Sequence, residues 1–141
     1  MTRLLAFLAL APVAVSAQSP PAVDSAAAAR TAWQAAVAAQ RQGDAAAAIR
    51  HTLTATMAWP EQPYYHEMLG LLSARASDTA NLLRAVRSLT TIQAGARLVS
   101  DSSVARLRQA AAVETAVSQL STALAPQQRS TVWAQLTDST V

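Results

Sequence analysis

A chain of 141 residues has room for one domain, and without cysteine it has no disulfide, thiolate metal site, cysteine nucleophile or lipidated lipoprotein signal. The formal charge is +3 and the isoelectric point about 10.6. The basic side chains are all arginine, scattered at Arg30, Arg41, Arg50, Arg75, Arg84, Arg87, Arg97, Arg106, Arg108 and Arg129 of the mature region. Nucleic-acid binding asks for arginine gathered on one face with aromatics to stack on, so that class is set aside. Alanine is about a quarter of the chain. It loses no side-chain entropy in a helix and buries little area, which predicts closely packed helices around a thin core.

Met1 to Ala17 reads as a secretory signal. Arg3 supplies the positive start, Leu4 to Ala11 the apolar run, and Val15-Ser16-Ala17 the small residues at a cleavage site before Gln18. The apolar run is shorter than the roughly 20 residues that span a bilayer, so no stable membrane insertion is expected after cleavage. With no lipidated cysteine, the expected destination is the periplasm of a bacterium or the medium outside it. Residues 18–23 hold Pro20-Pro21 and read as a linker.

A first helix is predicted from about Ser25 to Gln42, with Asp24 or Ser25 as cap and Ala32, Trp33, Ala36, Val37 and Ala39 on its apolar side. Gly43 ends it, because glycine accepts the left-handed conformation. Asp44 caps a second helix to Ala58, packed through Ala48, Ile49, Thr52, Leu53, Ala55 and Met57. Trp59-Pro60-Glu61-Gln62-Pro63 is a turn, since proline cannot continue a helix and restricts the residue before it. A third helix follows from Tyr64 to Arg75, with Met68, Leu69 and Leu72 inward. Ser77-Asp78 turns into a fourth, Thr79 to Gln93, carrying Leu82, Leu83, Val86, Leu89 and Ile92 and ended by Gly95. Ala96 to Asp101 reads as a connector and Ser102 to Arg108 as a short helix. A closing helix from Ala110 to Leu124 has Val113, Val117, Leu120 and Leu124 in one stripe, and Ala125-Pro126 stops it. In the tail, 126–141, Val132, Ala134 and Leu136 alternate with Trp133, Gln135 and Thr137, a period that suits a strand.

The step from Gly43 to Ser77 equals the step from Ala36 to Gly70, and both match the length of a helix-pair repeat of about 34 residues. With Ala48, Ala55 and Pro60 in the first unit and Leu69-Gly70, Leu82, Val86 and Leu89 in the second, 24–95 resembles two tetratricopeptide repeats, each a helix pair. Leu82 and Leu89 stand where the repeat has alanine, and Ala94-Gly95 replaces its closing proline. The resemblance implies an all-α fold: antiparallel helical hairpins stacked as a short solenoid, with 96–125 forming a connector and a capping helix. Two units and a cap lie near the lower limit for such a stack, so marginal stability alone or a homodimer through the open end is expected. The arrangement is also similar to the helical leader of exported gluconolactonase-like and NHL-like β-propeller proteins. There a Leu-Arg segment (here Ala105 to Arg108) and a closing helix precede the first propeller strand (here Ser130 to Asp138). On that reading the chain is the helical part of a longer lactonase-like hydrolase.

No residue set composes an active site. Asp24, Asp44, Asp78 and Asp101 each precede a predicted helix and are explained as caps, leaving few acids for paired acid/base work. His51, His66 and Glu67 stand on neighbouring helices but match no metal spacing, so His66 is read as filling a bulky packing position and His51 as partly exposed. No nucleophile elbow or phosphate-cradling glycine loop is present. No cofactor is called for, and the chain reads as non-enzymatic. What the repeat resemblance implies instead is a concave groove for a protein or peptide partner, lined by Arg30, Trp33, Gln34, Val37, Gln40 and Arg41 of the first unit. The second unit contributes Tyr64, Glu67, Met68, Leu71 and Arg75. Trp, Tyr, Met and Arg are residue types enriched at binding hot spots, and the arginines suit an acidic or terminal carboxylate of the partner.

Overall fold

The computed structural model describes the backbone of residues 22–138 and the side chains of 24–127. The signal-like segment through Ala17 and positions 18–21 lie outside the described residues. The fold is all-α, with seven helices and no strand among the described residues.

Helix α1 (Ala22–Arg41) takes in the last two residues of the expected linker, so Asp24 and Ser25 lie inside its first turn rather than capping it; Asp24 there and Arg41 in the last turn both suit the helix dipole. Gly43 then takes φ +77°, the Asp44 N–H donates to the Ala39 carbonyl and the Gly43 N–H to Gln40. This double bond pattern closes a helix C-terminus on a left-handed residue. Asp44 immediately caps α2 (Ala45–Ala58), its carboxylate accepting from the Ala47 N–H at 2.8 Å.

The same device recurs at Ser77-Asp78. Ser77 takes φ +59°, the Asp78 N–H donates to Ser73, Ser77 N–H to Ala74, and the Asp78 carboxylate caps the next helix through Asn81. Between the two turns, Trp59 to Gln62 lead into α3 (Pro63–Arg75). Pro63 occupies the first helical position, where its missing N–H costs nothing.

α4 (Thr79–Ile92) ends earlier than Gly95. Gln93 is the left-handed residue, φ +57°, and the Ala94 N–H returns to the Leu89 carbonyl. Gly95, at φ +100°, instead starts α5 (Ala96–Ser100). The expected connector is therefore helical for most of its length. Asp101 is extended, breaks the chain from α5 into α6 (Ser102–Leu107), and accepts from the Ser103 N–H.

α7 (Ala111–Asp138) corrects two expectations. Pro126 does not stop it, and the stretch read as a strand, Val132 to Leu136, is helical. A lone strand would leave its backbone groups without partners, whereas a helix satisfies them internally. Near Pro126 the Gln127 side chain donates to the Gln93 carbonyl at 3.0 Å, tying this turn to the end of α4. The strand that the likeness to a propeller leader placed at Ser130 to Asp138 is therefore helix.

α1 packs on α2, α2 on α3, α3 on α4 and α4 on α7, while α5 and α6 cross over α3. The core is uneven. The fully buried residues of α1 are alanines, Ala29, Ala36 and Ala39. The larger cluster joins Leu71, Leu82, Val86, Leu89, Leu98 and Val104 to the α7 stripe Val113, Val117, Leu120 and Leu124. Met57, expected inside, is 66% exposed because it shares the outer stripe of α2 with Arg50 and Thr54.

At the α6–α7 turn Arg108 grips Glu114 with two parallel hydrogen bonds, and Ser118 donates to the same carboxylate. Those hydrogen bonds hold Glu114 below the ordinary glutamate range, and the bond to Glu114 raises Arg108. A depressed carboxylate contributes stability above its unfolded value and loses it as pH falls through its folded value. A carboxyl carbon titration by NMR is expected to place Glu114 below free glutamate, and Arg108→Ala to move it back up. An inflection that Arg108→Ala leaves in place would contradict the assignment.

Candidate functional site

The residues expected to line a groove sit on α1 and α3. These helices lie side by side in the same direction: Trp33 meets Tyr64 at one end, and Gln40 borders a cleft with Leu72 and Arg75 at the other. The stretch from Trp33 to Gln40 spans about 10 Å of helix.

The first end is aromatic. Trp33 and Tyr64 stack edge to face, centroids 5.3 Å apart at 82°, and Tyr65 stands 6.2 Å from Trp33 and 5.6 Å from Tyr64. This geometry suits the ring quadrupoles. Tyr65 is buried, with Ala29 and Ala55, and anchors the group; Tyr64 stays 43% exposed. Below them Trp59 leads into the Pro60 corner. His66 is buried there, its Nε2–H donating to the Pro60 carbonyl at 2.8 Å. It fills a packing position, as its place on the helix suggested, and Nδ1 is left buried without a partner. No group of three His, Cys, Asp or Glu side chains that could hold a metal occurs among the described residues.

The second end is cationic. A cleft of about 260 Å³ is bordered by Gln40, Gly43, Ala45, Leu72, Arg75 and Ala76. Arg41 and Arg75 are exposed, as are Arg30 and Gln34 further up α1. Glu67 is the acid among the expected groove residues. No salt bridge engages Arg30, Arg41, Glu67 or Arg75 among the described residues.

Not every expected residue belongs. Leu71 is 4% exposed and lies in the core cluster with Leu98 and Val104, so it lines no groove. The crossover helices α5 and α6 pack on α3 and claim that side of it. Met68 is half-buried against the same cluster, and Val37 is half-buried on α1. The sequence reading also missed Tyr65 and the cleft-lining Gly43, Ala45, Leu72 and Ala76. The Tyr64-Tyr65 doublet was the available signal, since adjacent helical residues point about 100° apart and one can be inside while the other is out.

No protein-family model matches the chain, and no match is found among curated proteins or among solved structures.

Proposed function

We propose that the protein is an exported, non-enzymatic scaffold of tetratricopeptide-like helical hairpins that binds a segment of a protein or peptide partner along the α1–α3 face. The observation that carries this reading is the polarity of the face, with exposed Tyr64 beside Trp33 at one end and Arg75 beside Gln40 at the other. An extended chain rises about 3.3 Å per residue, so roughly three to five residues cover the roughly 10–16 Å between those ends. The segment therefore carries an apolar or aromatic residue at the Tyr64 end. A carboxylate follows a few residues later, in reach of Arg75 and Arg41. The two capped turns, Gly43-Asp44 and Ser77-Asp78, support the repeat reading, because each sets a helix pair in the same way.

A library of short synthetic peptides with free carboxyl termini, read by fluorescence polarisation, tests it. The best binder is expected to lose at least tenfold in affinity with Arg75→Glu and with Trp33→Ala, and to keep it with Arg106→Glu, on α6. Affinity unchanged in both face variants would overturn the reading. The export component predicts that the intact mass of the protein from a secreting host begins at Gln18.

A further inference from the structure

A second concave surface lies between α4 and α7, lined by none of the residues of the α1–α3 face. These helices run in the same direction, Leu83 facing Ala112 at one end and Thr90 facing Gln119 at the other. Two adjoining clefts of about 380 and 240 Å³ open between them and share Arg87, Ala116 and Gln119. Together they form a trough about 10 Å long, the rise of two helical turns on either wall.

The walls define what fits. The floor is apolar and shallow, from Leu83, Ala112 and Ala116. The hydroxyls beside it already donate to their own helices: Thr90 to the Val86 carbonyl, Thr91 to Arg87 and Thr115 to Ala111. An extended segment laid in this trough would find little to receive its backbone groups. A helix carries those bonds internally and packs into the groove between two others. Small side chains on α7 let its axis come close.

Charge selects among helices. Arg87 is exposed at the centre of the trough and joins no salt bridge among the described residues. Arg84 stands one turn away on the same helix. α4 has no acid, and α7 up to Gln127 has only Glu114, which Arg108 already holds. Asp78, ahead of α4, is committed to capping it. The uncompensated guanidinium, with the Gln119 amide beside it, offers N–H donors to a carboxylate.

We propose that the α4–α7 trough docks a short amphipathic helix of a partner protein, one that presents small apolar side chains around a single Asp or Glu paired with Arg87. The surface is separate from the α1–α3 face and does not depend on it.

The test uses a short helical peptide of about four turns with an Ala/Leu face and one central Glu, and the same peptide with Lys in its place. Amide shifts of the full chain on titration are expected to cluster at Leu83, Ala112, Ala116 and Gln119. Arg87→Glu is expected to weaken the Glu peptide at least tenfold and to bind the Lys peptide in its place. Gln119→Trp, also at an exposed position, fills the trough and is expected to block both. Circular dichroism confirms that each variant is folded. Shifts that map to α1 and α3, indifference to the Arg87 charge reversal, equal binding of an unstructured peptide of the same charge, or no binding of the Glu peptide would each overturn the proposal.

Discussion

Leu98→Ala is expected to lower stability by about 2–5 kcal/mol, read as a lower urea midpoint, the range for emptying a fully buried leucine site. Leu98 is 0% exposed, on a five-residue helix too short to persist by itself. Its side chain occupies the space that a methyl group on Gly70 would need: a Cβ there would lie 2.8 and 3.0 Å from the two Leu98 methyls and 3.4 Å from Ala85. The pair is therefore coupled. Gly70→Ala alone is expected to destabilise, because overpacking costs about 1–3 kcal/mol against a gain of about 1 in helix propensity. In the Leu98→Ala background the collision is gone, and Gly70→Ala is expected to recover stability. A double-mutant cycle that comes out additive would show that the two do not share this space. With total stabilities of about 5–15 kcal/mol for natural domains, Leu98→Ala alone removes a large part.

Gly95→Ala is expected to be comparably severe, for a different reason. Gly95 sits at φ +100°, a conformation that costs an L-residue about 1–3 kcal/mol. A Cβ there would also meet Leu89 Cδ1 at 2.8 Å, and Leu89 is fully buried with little room to retreat. Gly43→Ala supplies the control. Its φ is +77°, but nothing lies within 4 Å of the added Cβ, so only the backbone cost applies. The difference between the two variants in urea unfolding isolates the Leu89 collision. Equal losses would mean that Leu89 yields freely.

What could be read from the sequence follows from how local each signal is. The turns at Gly43-Asp44 and Ser77-Asp78 were legible because a turn-forming glycine or serine followed by a capping carboxylate marks both the end of one helix and the start of the next. The stripe Val113, Val117, Leu120 and Leu124 was legible because four apolar residues over three turns admit one period, and all four are buried. The end of α4 near Gln93 was legible, but the residue that closes it was not: Gln93 itself adopts the left-handed conformation, and Gly95, two residues later, opens the next helix. The tail misled for a related reason. Three alternating apolar residues fit a strand over so short a window, and only the absence of a partner strand argues for a helix. Among candidate groove residues, Trp33 meets Tyr64, and Gln40 borders one cleft with Arg75, because α1 and α3 lie alongside one another. Leu71 stands on the same helix, α3, but is covered by helices of five and six residues, too short to show their periodicity in advance.

The alanine lining of α1 carries a consequence for motion. Apart from Trp33 against Tyr64 and Tyr65, α1 docks through Ala29, Ala36 and Ala39 and gives up little apolar contact when it lifts away, whereas α4 and α7 must part a wall of leucine and valine. Amide hydrogen exchange is therefore expected to be faster in α1 than in α4 and the buried half of α7, with α1 opening in a sub-global step. On the proposed reading, a partner seated on the face that α1 half supplies binds only the closed form. Part of its binding free energy goes into holding α1 down, and its arrival is reported by slowed exchange throughout that helix, including at amides it never touches.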